Sequence, residues 1–597
     1  MTSAAAGLAG VRVLDAADAH GRATVALLAA LGAAVRRGAP GDAALRGADV
    51  AVLGGAAAAD VVARRGVFPR LVVVAVTPGS DLGSGPTWRG GEPVLQARGG
   101  LVWPNGHPDG PPLALPGAPA TRAAALHAAL GVVLALLARR RDGRGRLVDV
   151  CMQESATALL EHVMGEWFAR GEASRRRGSL HWNGTFRIGR GADAPLLLSH
   201  LGDWTALREW LRADGAVADL DAPRWDDVDE RCRHAAHVFD VLDAWAARYP
   251  VEELVARAQA LRLPWAPVWS RARFAREGGG RGATAPYATR GGGPAPSTGC
   301  ASTAMAGAAA GAAPLGGVRV VDFSWVVAGP LATRVLADFG AEVTRIERPA
   351  APALRGVSAA NLLRGKRCVG VDLNTAAGRA AVRELLRAAD VVVDNFSRRV
   401  LPNWGFDDAA LRALNPRLVV AHLTGCGAGG GRADWVSYGP TLQALAGLAS
   451  DMAGPDGAPC GPGFAVADTA AGWTLALAVC AALWRRGAGG PGTVLDLAQV
   501  DALAWLTGGR TAPGRVLRCA DDAAGERWCM VEGAAPEATW LRRRTVAAAL
   551  PELQATGVAA GLVATPADLA ADPLLLARGW WQCRDGVPHD GVVPKLT

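Results

Sequence analysis

Few residue patterns in this chain could carry chemistry, and those that are missing narrow the field. The glycine-rich stretch Gly427–Gly431 is too loose to be a phosphate fingerprint by itself, and no GxxxxGK[ST], HExxH or GxSxG occurs. Nicotinamide, phosphate-loop, zinc-protease and serine-hydrolase signatures are therefore unsupported. The ten cysteines are scattered, with no Cys-x-x-Cys and no Cys/His cluster at zinc spacing, so no metal site is expected. One segment remains, Gly463-Phe464-Ala465-Val466-Ala467-Asp468-Thr469-Ala470-Ala471-Gly472. It sets Asp468 just before an apolar run, Ala470 to Trp484, with the composition of a helix. Two readings of Asp468 stay open on the residues alone. It is an N-cap, worth about 1 kcal/mol, or a carboxylate with an ordinary pKa of about 4, ionised at neutral pH and able to act as a nucleophile.

The elements that must position it occur twice. Arg70-Leu71-Val72-Val73 recurs as Arg417-Leu418-Val419-Val420, Leu95-Gln96-Ala97 as Leu442-Gln443-Ala444, and Leu147-Val148-Asp149 as Val494-Leu495-Asp496. Each pair is separated by 347 positions, so 70–149 maps onto 417–496 without a gap. The openings, Val11-Arg12-Val13-Leu14-Asp15 and Val318-Arg319-Val320-Val321-Asp322, are separated by 307. The second copy therefore carries 40 residues that the first lacks, among them Arg364-Gly365-Lys366-Arg367. Glu277–Pro314, rich in Gly, Ala, Pro and Ser, reads as a linker.

Short β-branched runs alternate with helical spacing in the second copy. Strands are expected at Val318–Asp322, Glu342–Ile346, Val391–Val393 and Leu418–Leu423, and helices at Pro330–Phe339 and Arg379–Ala389. That alternation predicts an α/β fold built on a Rossmann-like parallel sheet, with ligands beyond the carboxyl ends of its strands.

The second copy resembles the family III CoA-transferases, the family of formyl-CoA and carnitine CoA-transferases. The resemblance runs in order through Asp322-Phe323-Ser324 to Ala328-Gly329-Pro330, Ala337-Asp338-Phe339-Gly340-Ala341-Glu342-Val343, Ile346-Glu347-Arg348-Pro349 and Arg364-Gly365-Lys366-Arg367. It continues through Ala389–Phe396, Leu414-Asn415-Pro416-Arg417-Leu418, Thr424-Gly425-Cys426-Gly427 and the Asp468 segment. The resemblance implies that Asp468 is the catalytic nucleophile of transfer of CoA from an acyl-CoA to a small carboxylic acid, through an aspartyl anhydride and an aspartyl-CoA thioester. It also implies CoA-binding roles for Val326, Val327 and Ala328 through their backbone, and for Arg348, Asn395, Phe396 and Tyr438. A racemase, lyase or hydrolase of the same fold, or a CoA-binding pseudoenzyme, are the alternatives. The related racemases carry a histidine where Tyr438 stands, so racemase chemistry lacks its second base here. His422 reads as a core or edge histidine.

The expected architecture is two tandem family III-like lobes, each a Rossmann-like parallel sheet with a smaller α+β domain. Residues 1–180 form a degenerate large domain, 181–276 its small domain, 277–314 the linker, 315–510 the large domain with Asp468, and 511–597 a shortened small domain and C-terminal segment. Copy 1 reads as non-catalytic, because Thr121 stands opposite Asp468. The second copy shows no recognisable glycine-rich closing loop; Gly508-Gly509 is a poor substitute. Complementary losses suggest a covalent pseudo-dimer with one active site, open to further self-association.

Composition sets the remaining limits. The 597 residues are 50% hydrophobic and 20% charged, with a net charge of +8. Lys366 and Lys595 are the only lysines among 63 basic residues. The arginine excess looks like coding bias rather than a nucleic-acid face, and Arg139–Arg141, Arg175–Arg177 and Arg542–Arg544 read as solvated helix ends. Reduced, mostly buried thiols and a cytoplasmic protein are expected. The longest apolar runs, Ala123–Ala138 and Ala470–Trp484, are shorter than the ~18–20 residues that span a bilayer, so neither a membrane anchor nor a signal peptide is expected.

Overall fold

The computed structural model describes residues 7–79, 88–280, 286–290, 313–349 and 358–597, except 455–456, 488, 524, 535 and 585. Runs such as Val50–Leu53 and Val391–Asp394 are buried at every position. Strands covered on both faces in this way belong to parallel sheets, and two such sheets form.

The first sheet runs Ala34–Arg37, Arg12–Ala16, Val50–Leu53, Val72–Thr77 and Leu147–Cys151, all parallel, in that spatial order. The second runs Lys366–Gly370, Glu342–Glu347, Arg319–Asp322, Val391–Asp394, Val419–Thr424 and Val494–Ala498, also parallel. The order is the same once Lys366–Gly370 is set aside. The 40 residues missing from the first copy thus cost it one edge strand. They also cost it a cation: Lys366 Nζ donates to Asp322 (3.1 Å), to Thr333 Oγ1 (2.6 Å) and to the Pro330 carbonyl (2.7 Å).

Each sheet ends on a strand from the other half of the chain. Ala288–Arg290, which follows the first copy's small domain, pairs antiparallel with Val494–Ala498 of the second sheet. Lys595–Leu596, at the far end of the chain, pairs antiparallel with Leu147–Cys151 of the first. This corrects the reading of 277–314 as linker throughout: Tyr287 is buried and 288–290 is a strand. Of the rest, 281–285 and 291–312 lie outside the described residues.

Among the described residues three smaller antiparallel sheets complete the architecture, Phe186–Arg190/Pro195–Ser199/Ala266–Pro267, Gly514–Arg518/Trp528–Glu532/Ala559–Leu562 and the pair Trp581–Arg584/Val587–Asp590. The chain is therefore two tandem α/β lobes, each with a parallel sheet and a smaller α+β unit.

The lobes share one core. Helix Pro119–Asp142 packs on helix Val466–Arg486, and Leu130, Val133, Leu475 and Ala478 belong to one continuous buried cluster. His127 and Trp473 meet edge to face at 4.1 Å across this contact. These helices, of 24 and 21 residues, correct the expectation from the shorter apolar runs: by length and composition both could cross a bilayer. Their most apolar windows are 83% and 94% buried within the protein, which makes them core helices.

Two arginine runs also depart from expectation. Arg139 binds Asp49, Arg140 lies over the Trp484 ring, and Arg141 donates to the Gly316 carbonyl (2.9 Å). Arg176 is buried and pairs with Glu526 of the second copy (2.9 Å). Neither run is merely solvated, because the carboxylates and carbonyls they meet belong to distant segments. Among the described residues nine cysteines are free, five of them buried.

Cleavage at a protease site inserted within 291–312 tests the interlock. The two fragments are expected to co-elute on size exclusion without denaturant, since each completes the other's sheet and core. Separation into independently folded fragments would contradict the exchange.

Candidate functional site

Asp468 is the third residue of helix Val466–Arg486. The N-cap is Ala465, which has no side-chain cap bond, so the N-cap reading of Asp468 falls. The helix starts two residues earlier because Val466 and Ala467 already pack in the core. The carboxyl group lies on a cavity of about 1000 Å³. Burial raises its pKa to about 7, only partly offset by its own backbone N–H. Among the described residues no cation is paired with it.

Gly439 faces it across the cavity. A Cβ there would lie 2.7 Å from Asp468 Oδ2, so only glycine leaves the carboxylate its place. Gly439 opens helix Gly439–Leu445, and Thr441 Oγ1 on that helix accepts the Tyr438 N–H (3.2 Å) and donates to the carbonyl of Pro264 in copy 1 (3.0 Å).

The cavity brings together Asp468, Tyr438, Val326, Val327, Arg348 and Phe396. Ala328 is not on its wall; it begins helix Ala328–Asp338 and is buried. Asn395 stands behind the wall. Its Oδ1 accepts the Trp325 N–H and its Nδ2 donates to the Trp325 carbonyl, both at 2.8 Å. That clamp holds the next residue, Val326, at φ 64°, where a β-branched side chain is a conformational outlier. Trp325 and Val326 are correspondingly exposed. Phe396 meets Trp404 edge to face at 5.8 Å. Glu347 is engaged by Arg345 (2.8 Å), and Arg348 remains on the cavity wall.

Beneath this segment Asp322 is fully buried. Burial works to raise its pKa, but Lys366 and Arg345 outweigh it and hold the carboxylate below its usual range. His422 bridges Asp394 (2.5 Å) and Asp408 (2.8 Å), which raise it to about 10 against the cost of burial; it is a strand histidine in an ion pair, away from the cavity.

The opposite wall comes from copy 1: Glu161, His162, His181, Trp182 and Phe186. Glu161 is tied to copy 2 through Arg334 (3.2 Å) and Asn361 (2.6 Å), both of which also bind Asp590. Sequence reasoning missed these residues and Gly439. Only the 347-residue offset could have flagged Gly439, because it sets Glu92 opposite it.

That exchange explains the other lobe. Glu92 is buried and accepts the Ala120 and Thr121 N–H groups at 2.8 Å each, as well as Gln96 Nε2 (3.1 Å). Its carboxyl therefore fills the helix start where Thr121 replaces the aspartate. Gly508-Gly509 lies there too, against Ala118 and Arg122, rather than on the Asp468 cavity.

Residues 57–306 and 315–526 match the profile of CoA-transferase family III. A succinate–glutarate CoA-transferase of Agrobacterium fabrum is 38% identical over 205 residues, 32% of this chain and 51% of that protein. A Mycobacterium tuberculosis protein named "Probable CoA-transferase" is 27% identical over 654 aligned residues, 91% of this chain and 80% of its own. A crystal structure of a CAIB/BAIF family protein from Brucella suis aligns at 26% identity and TM-score 0.42, over 47% of this chain and 92% of that one. The chain thus spans about half the length of the first of these relatives.

The raised pKa of Asp468 has a consequence for stability. The folded state keeps a proton between the ordinary carboxylate pKa and about 7 that the unfolded state releases. Stability contributed by that proton is lost as pH rises through this window. Asp468→Asn, which cannot ionise, is expected to raise Tm relative to the native chain more at pH 8 than at pH 5. Equal shifts at both pH values would show the carboxyl to be solvated.

Proposed function

The chain belongs to CoA-transferase family III, and from that premise we propose that it moves CoA from an acyl-CoA to a carboxylic acid at one site per chain, with Asp468 as nucleophile. The observation that carries the reading is a carboxyl group on a cavity walled by both copies, with no cation paired to it among the described residues and its pKa raised by burial.

In the proposed sequence the Asp468 carboxylate attacks the thioester carbonyl. The C–S bond breaks, giving an acyl–aspartyl anhydride and CoA thiolate. The thiolate attacks the aspartyl carbonyl and releases the donor acid, leaving an aspartyl-CoA thioester. The acceptor carboxylate displaces the thiolate to form a second anhydride. The thiolate then attacks the acceptor's acyl carbon, and Asp468 is regenerated. A carboxylate is a weak nucleophile, so positioning must contribute heavily; effective molarities of ~10⁵–10⁸ M are available to oriented groups. Enclosure supports this in two ways. It strips water from the carboxylate, and it keeps hydrolysis from competing for the anhydrides.

Arg348 is suited to the nucleotide phosphates, which it can pair as a rigid fork. The Val326 and Val327 backbone on the cavity wall suits the pantetheine amides, which need backbone partners. Asn395 is then a positioning residue acting through Trp325. Occupation of the copy-1 helix start by Glu92 supports a single site.

The chemistry is tested by intact-mass spectrometry after incubation with a panel of acyl-CoAs. An adduct that hydroxylamine releases, mapping to the Asp468 peptide, is expected, and Asp468→Asn should abolish it with a fall in kcat of about 10³-fold or more. No adduct with any donor that turns over would remove Asp468 from the nucleophile's role. Because the ionised form reacts, kcat/KM for the acyl-CoA should fall as pH drops below about 7; a profile flat from pH 5 to 8 would contradict it. Gly439→Ala should lower kcat/KM at least tenfold, read from initial rates, because its methyl group displaces the carboxylate.

A further inference from the structure

Beside the Asp468 cavity lies a second one, of about 980 Å³, and the two share Glu166, Arg170, Trp182 and Asn183 on their walls. Arg175, Arg176 and Arg177 add to its basic lining, and Glu526 comes in from the second copy. Only one of these four arginines is matched. Arg176 is buried and binds Glu526 (2.9 Å) and the carbonyls of His107 (3.2 Å) and Pro108 (3.4 Å). Arg170, Arg175 and Arg177 are exposed and make no hydrogen bond or ion pair among the described residues.

The contacts of Arg176 explain that arrangement. Gly171, at φ 69°, ends helix Glu161–Arg170, and residues 172–177 continue without helix or strand. Trp103 Nε1 donates to the Ser174 carbonyl (3.0 Å), so the segment is pinned at 174 and again at 176. Arg175 and Arg177, on either side of the buried anchor, are held at the surface. Burial raises the pKa of Glu166, and Arg170 and Arg177 both act against it. Two guanidiniums from different segments thus converge within electrostatic range of one residue that both cavities share. Asn183 supplies a neutral donor. Its Oδ1 accepts the Thr185 N–H (3.1 Å), the Thr185 hydroxyl (2.6 Å) and His181 Nδ1 (2.7 Å), which fixes the sense of the amide and leaves Nδ2 without a partner among the described residues. Against these donors stand Glu166 and Glu172, since Glu526 is engaged by Arg176 and Arg518. Three unpaired arginines therefore face two carboxyl groups.

We infer that this second cavity binds an oxyanion group, carboxylate or phosphate, at the end of a molecule that also occupies the Asp468 cavity. Guanidinium groups pair such oxygens through two parallel N–H bonds, and the Asn183 amide adds a further donor. An apolar or cationic group would leave the arginines unmatched. None of the residues assigned above to CoA, Arg348 among them, lines this cavity. The inference rests on reading the neighbouring cavity as an acyl-CoA site. The anion is then either the distal carboxylate of a dicarboxylic acyl group or the 3′-phosphate of CoA, which offer the arginines the same chemistry.

The test is titration calorimetry on the full chain. One arm compares succinyl-, glutaryl- and adipyl-CoA with the monoacid thioesters of equal length, and the other compares CoA with 3′-dephospho-CoA. In at least one comparison the ligand with the additional anion should bind about tenfold or more tighter, in line with the worth of charge-assisted hydrogen bonds. Arg170→Gln/Arg175→Gln/Arg177→Gln should bring that ratio below threefold. Arg36→Gln/Arg37→Gln/Arg543→Gln, which removes the same charge from exposed positions elsewhere, should leave it unchanged. A ratio lost in the first arm assigns the anion to the acyl group, and one lost in the second assigns it to the 3′-phosphate. Native ratios below threefold throughout, ratios that survive the first triple substitution, or ratios that fall equally with the second, overturn the inference while leaving the transferase reading intact. The expected ratios without any Asp468 adduct would instead overturn the transferase chemistry alone. No binding of any thioester would remove both.

Discussion

Helix Pro119–Asp142 lies against helix Val466–Arg486, and this buried contact governs how the start of each helix can be used. A helix start enclosed by protein needs its N–H groups satisfied or left facing a ligand. The first helix is served by Glu92, which reaches in and takes the N–H groups of Ala120 and Thr121. The second has Gly439 at the equivalent place and keeps its own Asp468 carboxyl on an open cavity. Two related lobes thus diverge through a reciprocal pair of positions, Glu92/Thr121 and Gly439/Asp468. In each, enclosure pushes a carboxyl pKa up to about 7, but only one of the two faces a space where a substrate could sit.

The same contact makes the lobes inseparable in packing terms. One apolar cluster runs through both, and each parallel sheet takes its last strand from the other half of the chain. Charged groups follow this crossing. Arg578 from the C-terminal segment binds Asp149 (2.9 Å) and Glu154 (2.9 Å) of copy 1, while Arg334 and Asn361 of copy 2 hold Glu161 of copy 1 and Asp590 together. Removing one partner of such a buried cluster leaves an uncompensated charge, so these ties fix geometry even where their net stabilisation is small. Glu161 anchors the helix that carries His162 to the cavity wall, which links the interlock directly to the site.

Elements whose signal is local were legible. The β-branched runs at Arg319–Asp322, Val391–Asp394 and Val419–Thr424 became parallel strands within a residue of expectation, because burial on both faces demands such runs. Elements that borrow their partner from elsewhere were not. Ala288–Arg290 has no apolar periodicity and is a strand only because Val494–Ala498 offers an edge. Arg176 reads as one of three solvated arginines until Glu526, 350 residues away, is brought beside it. Asp468 was singled out by its segment, but its place in the first turn rather than at the cap was set by Val466 and Ala467 packing in the core.

The sequence by itself determined the duplication, the α/β class of each copy, the 40-residue segment missing from the first, and the candidate carboxylate. All of these are written in local pattern or in constant spacing along the chain. Tertiary structure alone decided that Asp468 lines a cavity from the first helical turn rather than serving as a cap, that Gly439 must lack a side chain, and that Asn395 clamps the Trp325 backbone. It also decided that His162, His181 and Trp182 of the first copy line the same cavity as the second copy's carboxylate. Those properties depend on desolvation and on contacts between residues hundreds of positions apart, and no local pattern encodes either.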